Sequence, residues 1–200
     1  MKPEPTIFVV DDDAAVRRAI ASAGRLLGRP VKPFASAADF LATFDSSQPG
    51  CLVLDLKMPG MTGIELQQQL VNEGVALPIV VVSGHADVRI AVDVMTRGAI
   101  TVLEKPFRLE ELLAQLRKAL EQDAKHRREA AAQAEANAKL AGLTAKEREV
   151  LEAIAAGKTN KEIAEDLGLS LRAVEDRRAR LMKKVEARTV AELVQVLNRR

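Results

Sequence analysis

The 200-residue chain has one cysteine, two histidines and no long apolar run. A lone cysteine cannot form an intrachain disulfide, and Cys51 lies in an apolar stretch where we expect it to pack in a core. With two histidines besides, a zinc site is not expected. No segment approaches the ~20 apolar residues that cross a bilayer, and the N-terminal stretch lacks the apolar region of a signal peptide. We therefore expect a cytoplasmic protein in a reducing compartment.

Glycine and proline are missing from residues 108–141, where strong helix formers predominate. This stretch predicts a helix with an apolar seam at its start, formed by Leu109, Leu113, Leu116 and Leu120. For its second half the pattern favours a solvated spacer over a dimerisation stalk. The stretch divides the chain into residues 1–120, a helical linker at 121–142, and residues 143–200. Their net charges are −1, 0 and +3. The basic bias of the last part is one indication of a nucleic-acid partner.

The first part alternates short apolar segments with amphipathic helical patterns. Five strands are expected, at Thr6–Val10, Val31–Phe34, Leu52–Leu54, Pro78–Ser83 and Ile100–Leu103. Strands that alternate with helices of this length indicate an α/β fold whose parallel sheet is covered on both faces.

Polar residues stand where these strands end. In chain order they are Asp11-Asp12-Asp13, Asp55, Ser83 and Lys105. In a doubly wound sheet all of them meet at one carboxyl edge. Clustered carboxylates repel one another and need a cation, and oxygen ligands suit Mg²⁺. A lysine in the cluster can neutralise phosphoryl charge, and a hydroxyl can donate to a phosphoryl oxygen. The pattern predicts a phosphoryl-acceptor site with Asp55 as its nucleophile.

Two other readings stay open for the chain. Asp11 and Asp13 have the D-x-D spacing of a Mg²⁺-dependent aspartyl-phosphate phosphatase. That enzyme would carry its nucleophile on the first strand, which would leave the Asp55 loop unexplained. An interaction-only or RNA-binding regulator is the third possibility.

Residues 143–200 read as four short helices, and three of them begin with the residues of a capping box: Thr144 with Glu147, Thr159 with Glu162, and Thr189 with Glu192. The second and third helices, joined by Leu-Gly-Leu-Ser170, form a helix-turn-helix pattern. The third helix has an apolar face of Leu171, Val174, Leu181 and Val185. Its other face has basic residues that could surround phosphates, with carboxylates that could accept from cytosine N4. This pattern favours DNA binding over a merely solvated helix.

Four segments resemble the receiver domain of two-component response regulators: Val-Val-Asp-Asp-Asp13, Asp55-Leu-Lys-Met-Pro-Gly60, Val-Ser-Gly-His85 and Glu-Lys-Pro-Phe107. The resemblance implies a flavodoxin-like sheet of order 2-1-3-4-5 and phosphorylation of Asp55 by a sensor histidine kinase. It also implies the roles of the other residues. Asp12 would bind Mg²⁺ directly, Asp11 through water or hydrogen bonds, and Lys57 through its carbonyl, while Ser83 and Lys105 would be the switch hydroxyl and the phosphoryl-binding lysine.

Three further positions bear on the receiver resemblance. Lys57 and His85 would flank the phosphate and tune its lifetime. Val102 stands where the family usually has an aromatic residue whose rotamer reports phosphorylation. This departure leaves phosphoacceptance untouched and changes the expected route of signalling.

The last part resembles the LuxR-type DNA-binding domain of FixJ/NarL regulators. The matching segments are Leu-Thr-Ala-Lys-Glu-Arg-Glu-Val-Leu151, Ala-Gly-Lys-Thr-Asn-Lys-Glu-Ile-Ala164 and Leu-Ser-Leu-Arg-Ala-Val-Glu175. The resemblance implies that the third helix enters the major groove of DNA, with Glu175, Asp176 and Ala179 at the reading positions, those that face the base edges. The phosphate contacts would be Asn160, Lys161, Arg172, Arg178, Lys183 and Lys184. Arg177 stands where many members have histidine.

Together the two resemblances predict a transcription regulator, not an enzyme, whose partners are a sensor histidine kinase, promoter DNA, RNA polymerase and a second copy of the chain. The fourth helix of the last part, or the surface from Asp87 to Leu120, would form the dimer face.

Overall fold

The computed structural model describes residues 3–84 and 88–199. Contacts divide the chain into two units, Met1–Arg127 and Arg128–Arg200. Within the described ranges, no helix is both long and apolar enough to cross a membrane.

The first unit is built on a five-stranded parallel sheet of order β2-β1-β3-β4-β5, which confirms the predicted fold class. Its strands are β1 (Thr6–Val10), β2 (Val31–Phe34), β3 (Gly50–Asp55), β4 (Ile79–Ser83) and β5 (Thr101–Glu104). The connecting helices are α1 (Ala14–Leu26), α2 (Ala37–Thr43), α3 (Gly63–Asn72) and α4 (Val88–Thr96). Asp87, the expected first residue of α4, lies outside the described residues.

The central strands β1, β3 and β4 are buried along their whole length. Alternate residues point to opposite faces of a sheet, so both faces of these strands must be apolar. Phe8 and Leu52 pack on one face with Phe40, whereas Cys51 packs on the other. Burial, helped by the negative charge of Asp123, raises the pKa of the Cys51 thiol to about 12. Cys51 is therefore a core residue, as its apolar surroundings predict.

The stretch without glycine or proline forms one helix, α5 (Leu109–Ala141). Its buried residues in the first unit are Leu112, Leu116 and Ala119, while Leu109 is 45% exposed. The expected leucine seam is confirmed at Leu116, which is buried, and at Leu113 and Leu120, which pack half-buried against the core. It is wrong at Leu109, because the buried stripe passes through Leu112. The next position of that stripe is Asp123, and its burial was not expected.

Asp123 and Arg127 form a polar clamp between α5 and the segment that leads into β3. The Asp123 side chain is 3% exposed, and one of its oxygens accepts a 2.9 Å hydrogen bond from the Gly50 amide. Arg127 Nε donates to both Asp123 oxygens at 2.9 and 3.1 Å. The Arg127 Nη atoms donate to the carbonyls of Ser46, Ser47 and Gln48. This clamp anchors α5 to the first unit as far as Arg127.

The second unit packs the end of α5 with α6 (Ala145–Ala155), α7 (Asn160–Leu167), α8 (Leu171–Val185) and α9 (Val190–Asn198). Its core includes Leu140, Val150, Ile163, Val174 and Leu193. Capping boxes are complete at the starts of α6 and α7. At α9 the reciprocal bond is different, because the Glu192 carboxylate accepts from the Arg188 amide. Leu171 is 49% exposed, so the predicted apolar face of α8 does not include it. It lies in the first turn of α8.

Glu147 ties the start of α6 to the end of α8. The residue is 5% exposed, and its Oε2 accepts hydrogen bonds from the amide and hydroxyl of Thr144 and from Lys184 Nζ at 2.7 Å. The Lys184 ammonium, followed by the Thr144 amide, lowers the pKa of Glu147 to about 2. The ionised carboxylate therefore stabilises the packing of the second unit.

Replacement of Arg127 by methionine should destabilise the first unit. The Asp123 carboxylate would lose its cation, so we expect the free energy of unfolding to fall by about 1–3 kcal/mol. Urea unfolding followed by circular dichroism measures this loss. Lys118→Met is the matched control because Lys118 is exposed on the same helix, and it should change stability by less than about 0.5 kcal/mol. Equal effects of the two variants would contradict a structural role for the clamp.

Glu147→Gln should remove part of the acid sensitivity of the second unit. The folded-state pKa of about 2 lies below the ordinary value of 4.5, so the stabilisation is present above pH 4.5 and is lost as pH falls towards 2. In thermal unfolding, the wild type should lose more stability over this window than Glu147→Gln. Glu149→Gln, which changes an exposed carboxylate on the same helix, should behave like the wild type. A wild-type pH profile in Glu147→Gln would refute the assignment.

Candidate acidic site and recognition helix

The carboxyl edge of the sheet brings four of the predicted site residues together. Asp11 directly follows β1, Asp55 ends β3 and Ser83 ends β4. These three residues are buried, with 0%, 4% and 1% exposure. Lys105 directly follows β5, and its amide donates to the Ser83 carbonyl at 2.8 Å. The parallel register of the strands therefore delivers two carboxylates, a hydroxyl and an ammonium group to one edge.

Lys105 joins the two carboxylates. Its Nζ lies 2.7 Å from Asp11 Oδ2 and 2.8 Å from Asp55 Oδ1. Burial alone would lower the pKa of Lys105, but hydrogen bonds and attraction from Asp11 and Asp55 outweigh it and raise the pKa. The lysine is therefore held as a cation between two acidic groups.

Backbone amides fix the second oxygen of each carboxylate. Asp11 Oδ1 accepts a 2.9 Å hydrogen bond from the Asp13 amide, and Asp55 Oδ2 accepts a 3.0 Å bond from the Lys57 amide. Burial raises the pKa of Asp11 although the bonds from Lys105 and Asp13 act in the opposite direction. Both carboxylates are thus oriented from two sides before any ligand arrives.

The other predicted metal-site residues are placed differently. Asp12 and Lys57 are exposed at the rim. The Asp13 side chain accepts from the Ala15 amide at 2.7 Å and caps α1. In residues 3–84 and 88–199, no three His, Cys, Asp or Glu side chains are close enough together to form a ligand cluster. The direct role of Asp12 in metal binding therefore stays a prediction.

The donors at this edge still suit Mg²⁺ in their chemistry. The predicted ligands are carboxylate oxygens and the Lys57 carbonyl, and hard oxygen ligands favour Mg²⁺ over softer metals.

Two further predicted positions are close in sequence to Lys105 and Ser83: Val102 and His85. Val102, in β5, packs half-buried against the core cluster of Phe8 and Leu54. It presents no aromatic ring to the site. His85, the predicted tuning residue, lies outside the described residues.

The second candidate site is the α7–α8 pair, which forms the predicted helix-turn-helix. Gly168 ends α7 in the left-handed conformation (φ 62°), which glycine adopts without a steric penalty. Ser170 caps α8, because its side chain accepts a hydrogen bond from the Ala173 amide. One side of α8 is buried through Val174, Leu181 and Val185. The exposed side carries the predicted reading residues and several cations: Arg172, Glu175, Asp176, Ala179, Arg180 and Lys183.

The remaining predicted phosphate contacts are tied to neighbouring helices or lie on α7. Arg178 donates to Asn160 Oδ1 at 2.8 Å, which links α8 to the start of α7. Lys184 contacts Glu147 at 2.7 Å. Lys161 is exposed on α7. Arg178 and Lys184 thus also link helices, whereas no helix-linking contact is described for Lys161.

The sequence predicts the i,i+4 pair of Asp123 with Arg127, but it missed three features: the burial of Asp123, the bonds from Arg127 to the carbonyls of residues 46–48, and the pairing of Glu147 with Lys184. Asp123 could have been found, since it lies four residues after Ala119 on the buried stripe of α5. Glu147 was identified as a capping residue, but its partner lies 37 residues away, and no local pattern signals such a distant pair.

Comparisons with known proteins identify the family of each unit. The family model of the response regulator receiver domain matches residues 7–117, and that of bacterial regulatory proteins of the luxR family matches residues 141–197. The transcriptional regulatory protein FixJ of Azorhizobium caulinodans is 40% identical over 190 residues, which cover 95% of this chain and 90% of that protein. The response regulator protein TodT of Pseudomonas putida is 37% identical over 193 residues, with 96% and 85% covered.

Solved structures give the same result. The response regulator StyR superimposes with a TM-score of 0.90 at 38% identity and covers 98% of this chain and 100% of its own. Full-length FixJ from B. japonicum gives a TM-score of 0.58 at 36% identity, with 98% and 97% covered. With a receiver fold, a helix-turn-helix and relatives that span nearly its whole length, the chain belongs to the FixJ-like response regulators, the two-component transcription factors that join a receiver domain to a LuxR-type DNA-binding domain.

Proposed function

We propose that Asp55 accepts a phosphoryl group from a sensor histidine kinase and that this event controls promoter binding by the second unit. The observation that carries the proposal is the Lys105 ammonium, which lies within hydrogen-bond distance of both Asp55 and Asp11 at the carboxyl edge. A cation held there can balance the charge that a phosphoryl group brings.

The transfer is a nucleophilic displacement at phosphorus. An Asp55 carboxylate oxygen forms the new O–P bond while the P–N bond to the donor imidazole breaks, and the imidazole leaves with the electron pair. Lys105 neutralises one phosphoryl oxygen, and the Ser83 hydroxyl donates to another. Mg²⁺, when bound by Asp11, Asp12, Asp55 and the Lys57 carbonyl, supplies further positive charge for the phosphoryl oxygens.

The acidic edge handles one phosphoryl group per chain and is therefore a regulatory site; we propose no multiple-turnover reaction for it. The phosphatase alternative would need Asp13 in the site, whereas Asp13 caps α1 with its side chain. Val102 offers no ring for the usual aromatic switch. We therefore assign the transmission of the signal to Ser83, which ends β4.

For the second unit, we propose that α8 enters the major groove of duplex DNA. Glu175, Asp176 and Ala179 would face base edges. The phosphates would be contacted by Asn160, Lys161, Arg172, Arg178, Lys183 and Lys184, among which Lys184 also holds Glu147. Exposure of the reading positions and the cations around them supports this assignment.

The remaining partners follow from this activity. A second copy would pair through α9 or through the α4–β5–α5 surface when the protein is phosphorylated or on DNA, and RNA polymerase would be engaged at the promoter. We propose a cytoplasmic location, because the protein must reach promoter DNA. We assign residues 1–120 to the receiver, 121–142 to the linker and 143–200 to the DNA-binding domain.

Phosphoryl incorporation tests the first half of the proposal. With acetyl phosphate and Mg²⁺, the intact mass of the wild type should rise by one phosphoryl group, and Asp55→Asn should show no rise because the nucleophile is gone. Asp13→Asn should still be labelled, since Asp13 caps a helix, and EDTA should abolish labelling. Labelling of Asp55→Asn at the wild-type level would contradict the assignment.

Binding to DNA selected from a random duplex pool tests the second half. Glu175→Gln should change the selected sequence, because a base-reading carboxylate is lost. Lys183→Met should weaken binding to all sequences and reduce the salt slope by about 1. Lys146→Met, an exposed change on α6, should leave both unchanged. Tighter binding to RNA or single-stranded competitors than to the selected duplex would refute the proposed groove contact.

A further inference from the structure

Arg17 lies in the second turn of α1 and reaches back to the loop that carries the acidic residues. Its Nη1 donates to the Asp11 carbonyl at 2.6 Å and to the Asp12 carbonyl at 2.9 Å. Its own amide donates to the Asp13 carbonyl at 3.0 Å. One residue therefore contacts the carbonyls of three successive aspartates.

These contacts act on a loop whose two acidic side chains have opposite environments. Asp11 is completely buried against Lys105, whereas Asp12 is exposed at the rim. A guanidinium that holds both carbonyls restricts the peptide planes on either side of Asp12. It therefore restricts the direction in which the Asp12 carboxylate leaves the main chain.

We infer that Arg17 is a positioning residue for cation binding at the carboxyl edge: it holds the Asp11-Asp12 backbone so that both carboxylates serve one Mg²⁺. This inference rests on the proposed function, because it assumes that Asp11 and Asp12 bind the cation. Arg17 acts through the main chain and does not touch the phosphoryl group.

Electrostatics and positioning predict opposite effects of removing Arg17. The guanidinium is a positive charge beside a site for a divalent cation, so its loss would tighten Mg²⁺ binding if charge alone mattered. If Arg17 orients the loop, its loss should weaken Mg²⁺ binding. Groups that orient metal ligands typically contribute about 10- to 100-fold in affinity. The sign of the change therefore separates the two roles.

Arg18 provides a matched control. It is the next residue of α1 and is exposed, and the contact described for it is that of its carbonyl, which accepts from Ser22 Oγ. Arg18→Ala removes the same charge without removing a donor to the acidic loop. It should leave Mg²⁺ affinity unchanged or slightly increased.

Titration of the full chain with MgCl₂ in a calorimeter tests the inference. We expect Arg17→Ala to bind Mg²⁺ about tenfold more weakly than the wild type. Arg17→Lys keeps the charge and one donor, so it should recover part of the affinity. Circular dichroism and the unfolding temperature in EDTA establish that each variant is folded.

The outcomes separate the inference from the function on which it rests. Equal or tighter Mg²⁺ binding by folded Arg17→Ala, beside a wild type that binds Mg²⁺, would overturn the role of Arg17 and leave the proposed function intact. The same loss of affinity in Arg18→Ala would overturn it as well. A wild type that does not bind Mg²⁺ would overturn both.

Discussion

The bridge from Lys105 to Asp11 and Asp55 is the interaction on which the receiver chemistry depends. Two carboxylates at the edge of a sheet repel each other, and burial makes their ionised forms more costly still. The lysine lies 2.7 and 2.8 Å from the two carboxylates and offsets part of these costs, although burial still raises the pKa of Asp11. The parallel order of the strands is what makes the bridge possible, since Asp11 and Lys105 are 94 residues apart in the chain and follow strands that are not neighbours in the sheet. The fold thus assembles a charged cluster that no single segment contains.

Around that bridge, the main chain does much of the positioning. The Asp13 and Lys57 amides hold the second oxygens of Asp11 and Asp55, and Arg17 holds the carbonyls of the same loop. The second unit also uses an ion pair to hold its elements, since Glu147 and Lys184 join α6 to α8. The opposite side of α8 is exposed. In both units buried or half-buried ion pairs fix the elements, and exposed side chains remain available for partners.

Much of this arrangement follows from local patterns in the sequence. Apolar runs that end in polar residues predicted all five strands and the edge where Asp55, Ser83 and Lys105 meet. Strand ends were predicted to within two residues, as for β3, which begins at Gly50 and not at Leu52, because the apolar run is clear but the last hydrogen bond is not. The capping residues Thr144, Thr159 and Ser170 predicted the starts of α6, α7 and α8 because caps act within one turn.

Long-range contacts could not be predicted in the same way. The leucines of α5 offered two possible stripes, and the sheet, not the helix, selects the one through Leu112 and Asp123. Burial of a carboxylate needs partners, and those of Asp123 come from Gly50 and Arg127, which a pattern confined to one helix cannot reveal in full. The role of Arg17 is hidden for the same reason, since an arginine on an amphipathic helix ordinarily faces solvent. Its partners are backbone carbonyls, which every residue has, so no residue type in the sequence indicates the contact.

The central claim is that chemistry at Asp55 controls the DNA affinity of the same chain. The most direct measurement is the dissociation constant for a selected duplex, determined by fluorescence anisotropy with and without Mg²⁺ and beryllofluoride, an acyl-phosphate mimic. The account predicts that beryllofluoride tightens binding of the wild type and has no effect on Asp55→Ala. The same affinity in both conditions for the wild type, or the same increase in Asp55→Ala, would contradict it.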